Sequence, residues 1–560
     1  MFVQPSFLTL NELLAKRLFR VPEYQRAYSW GRKQRQDMFE DIQRVKEQSK
    51  NWHFMATIVG LRHEKKLIVT DEYSVVDVVD GQQRLTTLII LLKAIQKKLD
   101  PKLTANVKLA AEIQELLVKQ DDLSLILLQM NHDSSHLFAR YLRKGDYPQI
   151  ATAKTLAETA LLNAMTESEN FVAKWGDPFE LTTILKNKLT FIFHEIGDEA
   201  AVYTVFEVLN SRGLPVPWLD RLKSMLMGVA FENNKGNLQE IINELHQIWQ
   251  KIYATIGLRQ GVGSEALRFA ATLRLQKKPS KPLGEEDAVE SLMALCSKEP
   301  AKAVEISQWL LNVAEAIDRF LRTGKRSHAV TGIAHARLLA ISIVLSKFSE
   351  TEERQLLEQW EKVSFRVFGL CRKDARTMVG EYVRLAWQVN NNGSAASEIA
   401  AKLGEIGSDE KEHGIAWAVE HNRDANCYEG WEDELRYLMY RHEEHLAKEK
   451  KQKFNNEQWN RIWEKSAAES IEHIYPQSKG SAERTSDGVF VHRLGNLTLL
   501  PPGLNSELKD RDPKDKVEAY RKTGLLTAIE VADAMKSGWS RKEIIDREER
   551  LLDWIKKTWA

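Results

Sequence analysis

Residues 73–99 read YSVVDVVDGQQRLTTLIILLKAIQKKL, and no other run constrains the fold as strongly. The β-branched stretch Tyr73 to Asp80 predicts a strand, Gly81 a turn, and the apolar stretch from about Gln83 to Leu99 a helix. His53 to Leu61 has the Val, Ile and Thr content of a second strand. Val21 to Trp30 (VPEYQRAYSW) opens with a proline that sets an extended or turn start, and Lys33 to Lys50 predicts a polar, charged helix. Strand and helix signals therefore mix within the first 100 residues.

Beyond that point the period is mostly helical. Leu103 to Leu128, Thr155 to Lys174 and Ala201 to Phe231 carry apolar residues at three- and four-residue spacing. Breaks fall at Lys277 to Asp287, Asn390 to Ser397 and Ala447 to Gln458, with AHARLLAISIVL and KVSFRVFGL as buried faces of a helical scaffold between the first and third. No repeat of 20 to 50 residues is present. A helix ends near Ser470. Two short apolar runs follow (Val489 to Leu494, Leu497 to Leu500), then PPG, a polar helix and a C-terminal helix.

Composition removes several classes. At roughly 100–200 residues per domain, 560 residues favour three or more domains. The 80 Lys and Arg against 79 Asp and Glu leave a net charge of +1, which argues against a polycationic binder but permits a local basic surface. Leu85 to Leu92 meets Lys93 far short of the roughly 18 apolar residues of a membrane span. No secretory signal is visible at the N-terminus, and Cys296, Cys371 and Cys427 are too few and too scattered for a disulfide framework or a zinc knuckle. The expected location is a reducing cytoplasm, with no membrane partner.

The strongest chemical pattern is near the C-terminal end. IEHIYPQ (Ile471 to Gln477) is followed by RLGNLTLLPPGLNSELK (Arg493 to Lys509). A metal-assisted nuclease needs a base to activate water, oxygen ligands for a divalent cation, and a fixed loop that keeps the base aimed. A neutral histidine can be that base near pH 7, and Glu and Asn oxygens suit Mg²⁺ or Mn²⁺ better than zinc. Taken alone, a His-Ile-x-Pro sequence is also compatible with a strand end and a satisfied histidine.

This segment resembles the HNH, or ββα-metal, endonucleases. It is most similar to the EHIxPQ…GNLxLLxxxxN variant at the C-terminus of GmrSD-type, modification-dependent restriction enzymes, with matching from Leu435 to Ile555. The resemblance implies that His473 is the general base, that Glu472 and Asn505 are metal ligands, and that Asn496 fixes the loop that orients the base.

Near the N-terminus, Asp80-Gly81-Gln82-Gln83-Arg84 follows a strand and opens a helix. Such a turn presents backbone N–H groups and the positive helix dipole to an anion, and Arg84 adds a bidentate phosphate donor. For a bare DGQ, a structural turn with Asp80 as helix cap is the better account. VPEYQR…W, VVDGQQRLTTL and FEVLNSRGLPVPWLDRLKS (Phe206 to Ser224) together resemble the N-terminal domain of the same GmrSD-type family. That domain is similar to the ParB/sulfiredoxin-like fold and is linked to nucleotide hydrolysis. The resemblance implies a nucleotide site of Asp80, Gly81, Gln82, Gln83 and Arg84, completed by Asn210, Arg212, Asp220 and Lys223. Ala56 stands where the family usually has a glycine, which puts a close backbone approach there in doubt. No Walker A loop competes.

Tyr24, Gln25, Arg26, Tyr28 and Trp30 leave two readings open: a cage that senses a DNA modification, or core packing beneath the DGQQR loop. His194-Glu195 lacks the second histidine of a zincin, since position 198 is Asp.

The expectation is an α-rich α+β protein. A ParB/sulfiredoxin-like nucleotide-binding or sensor domain spans 1–230, a helical connecting region 231–434, and a ββα-metal nuclease domain 435–560. The resemblance implies a metal-dependent endonuclease with NTPase activity, part of an antiviral restriction system, using Mg²⁺ or Mn²⁺ and an NTP (GTP, UTP or similar) against modified phage or foreign DNA. A homo-oligomer is compatible with it. The alternative is a nucleotide-gated DNA-binding regulator that does not cleave, and a toxin acting on RNA is a weaker third.

Overall fold

The computed structural model describes residues 5–22, 25–47, 52–119, 124–129, 134–197, 217–232, 238–259, 261–322, 325–330, 332–480, 484–485, 488–535 and 538–560. The chain is an α-rich α+β protein and forms two compact units, residues 1–271 with 283–315 and residues 272–282 with 316–560.

The first unit is built on a six-stranded mixed sheet. Its strands are β1 (Pro5–Thr9), β2 (Arg17–Val21), β3 (His53–Ile68), β4 (Asp71–Asp80), β5 (Leu127–Gln129) and β6 (Leu189–Ile196), in spatial order β1-β6-β3-β4-β2-β5. β3 pairs antiparallel with β4 and parallel with β6, and β2 runs parallel to both β4 and β5. Helices α1 (Arg32–Glu47), α2 (Gln82–Lys98) and α3 (Leu156–Trp175) cover the sheet region, followed by α4 (Trp218–Glu232) and α5 (Leu238–Ile256). Helix α2 is apolar nearly all round, and Leu85, Leu88, Ile89, Ile90, Leu91 and Leu92 are fully buried. Each such side chain contributes roughly 1.5–3 kcal/mol on burial, so α2 is the spine of this unit.

Gly81 makes the turn from β4 into α2 with φ +92°. A Cβ there would meet Ile58 Cγ1 at 2.9 Å and the Thr57 carbonyl at 3.1 Å. The left-handed backbone and the close approach of β3 both demand glycine. The glycine-dependent approach thus occurs at Gly81 against Thr57 and Ile58, while Ala56 lies buried in β3.

One helical stretch is shorter than its periodicity suggests. Among the described residues from Leu103 to Leu128 only Thr104–Leu117 is helical, and Leu127–Gln129 joins the sheet edge as β5. Short apolar runs satisfy helix and strand periods alike, and the free edge of β2 decides this one. Of Ala201 to Phe231, the part from 201 to 216 lies outside the described residues, and Trp218–Glu232 is helical.

The second unit is helical, with two short two-stranded ladders among its described residues. AHARLLAISIVL forms the buried helix Ala334–Leu345. The elements that matter for chemistry are α6 (Glu432–Glu449), β7 (Ile471–His473), β8 (Leu497–Leu499), α7 (Pro502–Leu508), α8 (Pro513–Lys522) and α9 (Arg541–Trp559). Buried Glu361 ties this region together. It accepts from Tyr437 Oη at 2.8 Å and Trp559 Nε1 at 3.2 Å, and pairs with Arg441 at 2.8 Å. No helix among the described residues is long and apolar enough to cross a membrane.

Candidate active site

The strand Ile471–His473 is antiparallel to Leu497–Leu499, with His473 opposite Leu497 and Glu472 opposite Thr498. Because strand side chains alternate, Glu472 and His473 face different neighbours. His473 points to His492, whose Nδ1 lies 2.9 Å from His473 Nε2. The Tyr428 ring lies against both, edge-on to His473 at 4.7 Å and stacked on His492 at 5.0 Å. Burial pushes His473 down to about 3, with the neighbouring His492 and Lys516 acting in the same direction, so its imidazole is neutral at pH 7.

Asn496 is the pin of the loop. Its Nδ2 donates to the carbonyls of Tyr475 (3.0 Å) and Val491 (2.9 Å). Its Oδ1 accepts from Tyr475 N (2.8 Å) and Trp539 Nε1 (3.2 Å). The backbone bond from Ile474 N to Asn496 O (2.9 Å) completes a clasp directly after His473. Helix α9 braces the same loop. Arg547 donates to the carbonyls of Gly495 (2.9 Å) and Leu497 (2.8 Å), and Arg493 pairs with Glu548 and with Asp424 (2.7 Å).

Glu472 is buried and accepts from Tyr520 Oη at 2.7 Å, while the Lys516 ammonium sits at 2.7 Å. Burial raises its pKa, against the pull of Lys516 and Tyr520. Both contacts fall on one oxygen, Oε1. Lys516 also donates to the carbonyls of His473 (2.9 Å) and Ile474 (3.3 Å). Asn505, on α7, donates from Nδ2 to the carbonyls of Glu469 (3.0 Å) and Ile471 (3.1 Å), which anchors it one residue from Glu472. Among the described residues, no three His, Cys, Asp or Glu side chains form a metal cage. The donor set fits a hard divalent cation in kind, through Glu472 Oε2 and the Asn505 amide oxygen, since Mg²⁺ is usually held by one or two protein oxygens plus water and phosphate.

In the first unit, Asp80 ends β4 and Gly81 opens α2 without a side-chain cap. The two glutamines clamp the preceding segment: Gln82 Nε2 donates to Arg26 O (3.0 Å), and Gln83 bonds Ala27 O (3.2 Å) and Ser29 N (2.9 Å). Gln82 Oε1 is buried with no hydrogen-bond partner. Arg84 lies 5.9 Å from the Trp30 ring centroid. Arg26 is where the two parts of this site meet, because both Asp220 and Asp80 act on it electrostatically while burial lowers its pKa. Burial raises the pKa of Asp220, which is half-buried and accepts from Tyr253 Oη. Asp220 and Lys223 line a cavity of about 440 Å³ with Tyr28, Ser29, Trp249 and Tyr253.

The remaining expected residues fall as follows. Gln25 is buried and donates to Val79 O (2.7 Å), Tyr28 is buried on Thr87 (2.9 Å), and Trp30 is buried under Arg84. These three pack beneath the DGQQR loop. Tyr24, Asn210 and Arg212 lie outside the described residues.

A family model for the N-terminal domain of GmrSD restriction endonucleases matches residues 10–227, and one for the C-terminal domain matches residues 419–554. The chain belongs to the GmrSD restriction endonuclease family. It is therefore a restriction nuclease, with DNA as its partner. No curated protein shows significant similarity to it. Both clusters fall within the GmrSD-matched segments apart from the cavity wall supplied by Trp249 and Tyr253. Within the GmrSD C-terminal segment, sequence reasoning missed His492, Tyr428, Lys516, Tyr520 and Arg547. Only His492 carried a local signal, four residues before Asn496.

Proposed function

We propose that this chain is a nucleotide-regulated, metal-dependent HNH-type endonuclease that cleaves modified phage or foreign DNA. The observation that carries the reading is a buried, neutral His473 whose following loop is clasped by Asn496. His473 takes a proton from water as the water oxygen attacks phosphorus. A neutral imidazole is required at that moment, and burial keeps it so. Asn496 holds the backbone at Tyr475 and Val491, so the base keeps its aim as DNA binds. Glu472 and Asn505 would hold Mg²⁺ or Mn²⁺. Bound there, the cation supplies electrostatic stabilisation to the phosphate and the leaving oxygen.

For the first unit, the proposed ligand is an NTP such as GTP or UTP, hydrolysed to regulate cleavage. The N-terminus of α2 from Gly81 to Arg84, with Arg26 and Lys223, offers donors for phosphates. The 440 Å³ cavity, lined by Asp220 and Lys223, has room for base and sugar.

The test is cleavage of hydroxymethylated, glucosylated, phosphorothioated and unmodified DNA with Mg²⁺ or Mn²⁺, with and without each NTP. Cutting of one modified substrate, NTP-dependent and lost in His473→Ala, is the expected result. Equal cleavage of all substrates would remove the modification-dependent part, and a His473→Ala variant as active as the parent would remove the HNH part.

A further inference from the structure

The partner of His473 is a second imidazole. His473 Nε2 and His492 Nδ1 lie 2.9 Å apart, both residues are buried, and the Tyr428 ring covers the pair. At this distance one proton lies between the two nitrogens, and one ring donates while the other accepts. Two arrangements of neutral rings satisfy this. If His473 donates from Nε2, its Nδ1 is bare and His492 carries its proton on Nε2. If His492 donates from Nδ1, then His473 carries its proton on Nδ1 and cannot take one from water.

We propose that His492 is the positioning residue for the base: it accepts from His473 Nε2–H and so leaves His473 Nδ1 as the atom that receives the water proton. This rests on the reading of His473 as general base. A lone pair of the water oxygen forms the new O–P bond while its O–H bond breaks and the proton is taken by the lone pair of His473 Nδ1; the P–O bond to the leaving sugar oxygen breaks with its electron pair on that oxygen, which takes a proton from solvent water. The resulting imidazolium keeps its Nε2–H directed at the His492 lone pair, which stabilises the cation as it forms. His492 is itself held in place. Its carbonyl accepts from Cys427 N at 2.9 Å, its ring is stacked on Tyr428, and the next residue, Arg493, is locked to Glu548 and Asp424.

The experiment uses the full chain, Mn²⁺ and plasmid DNA carrying the modification it cuts, under single-turnover conditions. An Asn side chain sets Oδ1 near the position of a histidine Nδ1, so His492→Asn keeps the acceptor, whereas His492→Leu removes it. The expected result is a cleavage rate lowered about 10²-fold in His492→Leu, within the usual range for a general base, and recovered to within about tenfold in His492→Asn. DNA affinity should be the same for both variants. Nitrogen-15 NMR of histidine-labelled parent protein should show His473 protonated at Nε2 and bare at Nδ1, with the resonance assigned by its loss in His473→Ala. Equal impairment of the Leu and Asn variants, parent-like cleavage by His492→Leu, or a proton on His473 Nδ1 would overturn the inference. If His473→Ala itself cuts like the parent, the general-base reading fails instead. The NMR result stands even if His492→Leu does not fold.

Discussion

The guanidinium of Arg547, on the last helix, donates to the carbonyl of Gly495 at 2.9 Å, and the helix backbone presses on the same glycine. A Cβ at position 495 would fall 1.9 Å from the Ile544 carbonyl, which is backbone and cannot swing aside. Gly495→Ala should therefore displace α9 and destabilise the second unit by about 3 kcal/mol or more. Urea unfolding measures this, and a change below about 1 kcal/mol would show that the helix is not seated on the loop.

Asn496→Ala removes four hydrogen bonds and leaves buried backbone groups at Tyr475 and Val491 without partners. The expected loss is about 2–4 kcal/mol of stability together with DNA cleavage. Asn496→Asp keeps the acceptor but not the donors, and should fall between parent and alanine. Parent-like cleavage by the alanine variant would show that the clasp does not aim His473.

Lys516 and Glu472 form a buried pair at 2.7 Å. Lys516→Met leaves the carboxylate without its charge partner and should cost about 3–5 kcal/mol, whereas Glu472→Met with Lys516→Met should recover a substantial part. The readout is a double-mutant cycle by urea unfolding. Additive losses would mean that the two side chains do not interact.

How legible was all this? The strand–turn–helix at Asp80 to Arg84 was readable because it is compressed into a short stretch, and Glu472, His473, Asn496 and Asn505, singled out by resemblance, lie on or beside one two-stranded ladder. Strands β1, β2 and β6 were not singled out, since each is short and becomes a strand only by pairing with distant residues, such as Phe7 with Ile192. Long-range partners left no local mark either. Lys516 is 44 residues beyond Glu472, and Arg547 is 52 beyond Gly495. Tyr28 and Trp30 had two readings by composition, and packing under α2 accounts for where both lie.

Acid should weaken the second unit. Burial lowers the pKa of His473 and of His442 to about 3, from 6.5. Burial also lowers His328 to about 4 and moves His335 and His492 in the same direction. The unfolded chain binds more protons below pH 6.5, so these groups' contribution is full above 6.5 and is lost as pH falls towards 3. For His473 and His442 the loss by pH 5 is about 2 kcal/mol each at most. An unfolding midpoint that does not move between pH 7.5 and 5 would show that these rings are not held neutral.

Asp80 and Asp220 both act on Arg26 electrostatically, so Arg26→Met should weaken binding of a fluorescent NTP at least about tenfold. Asp220→Asn, which keeps the Tyr253 contact, should perturb folding less than Asp220→Leu. Titration by fluorescence anisotropy checks the first statement and thermal unfolding the second. Unchanged NTP affinity in Arg26→Met would remove this residue from the nucleotide site.

The bracing of the GmrSD loop by α9 has a consequence for biosynthesis. Residues 541–559 leave the ribosome after His473, Asn496 and Asn505 have already been translated, yet they carry Ile544, Arg547 and Glu548, which shape that loop. A chain stalled before residue 541 therefore carries His473, Asn496 and Asn505 without the helix that braces their loop.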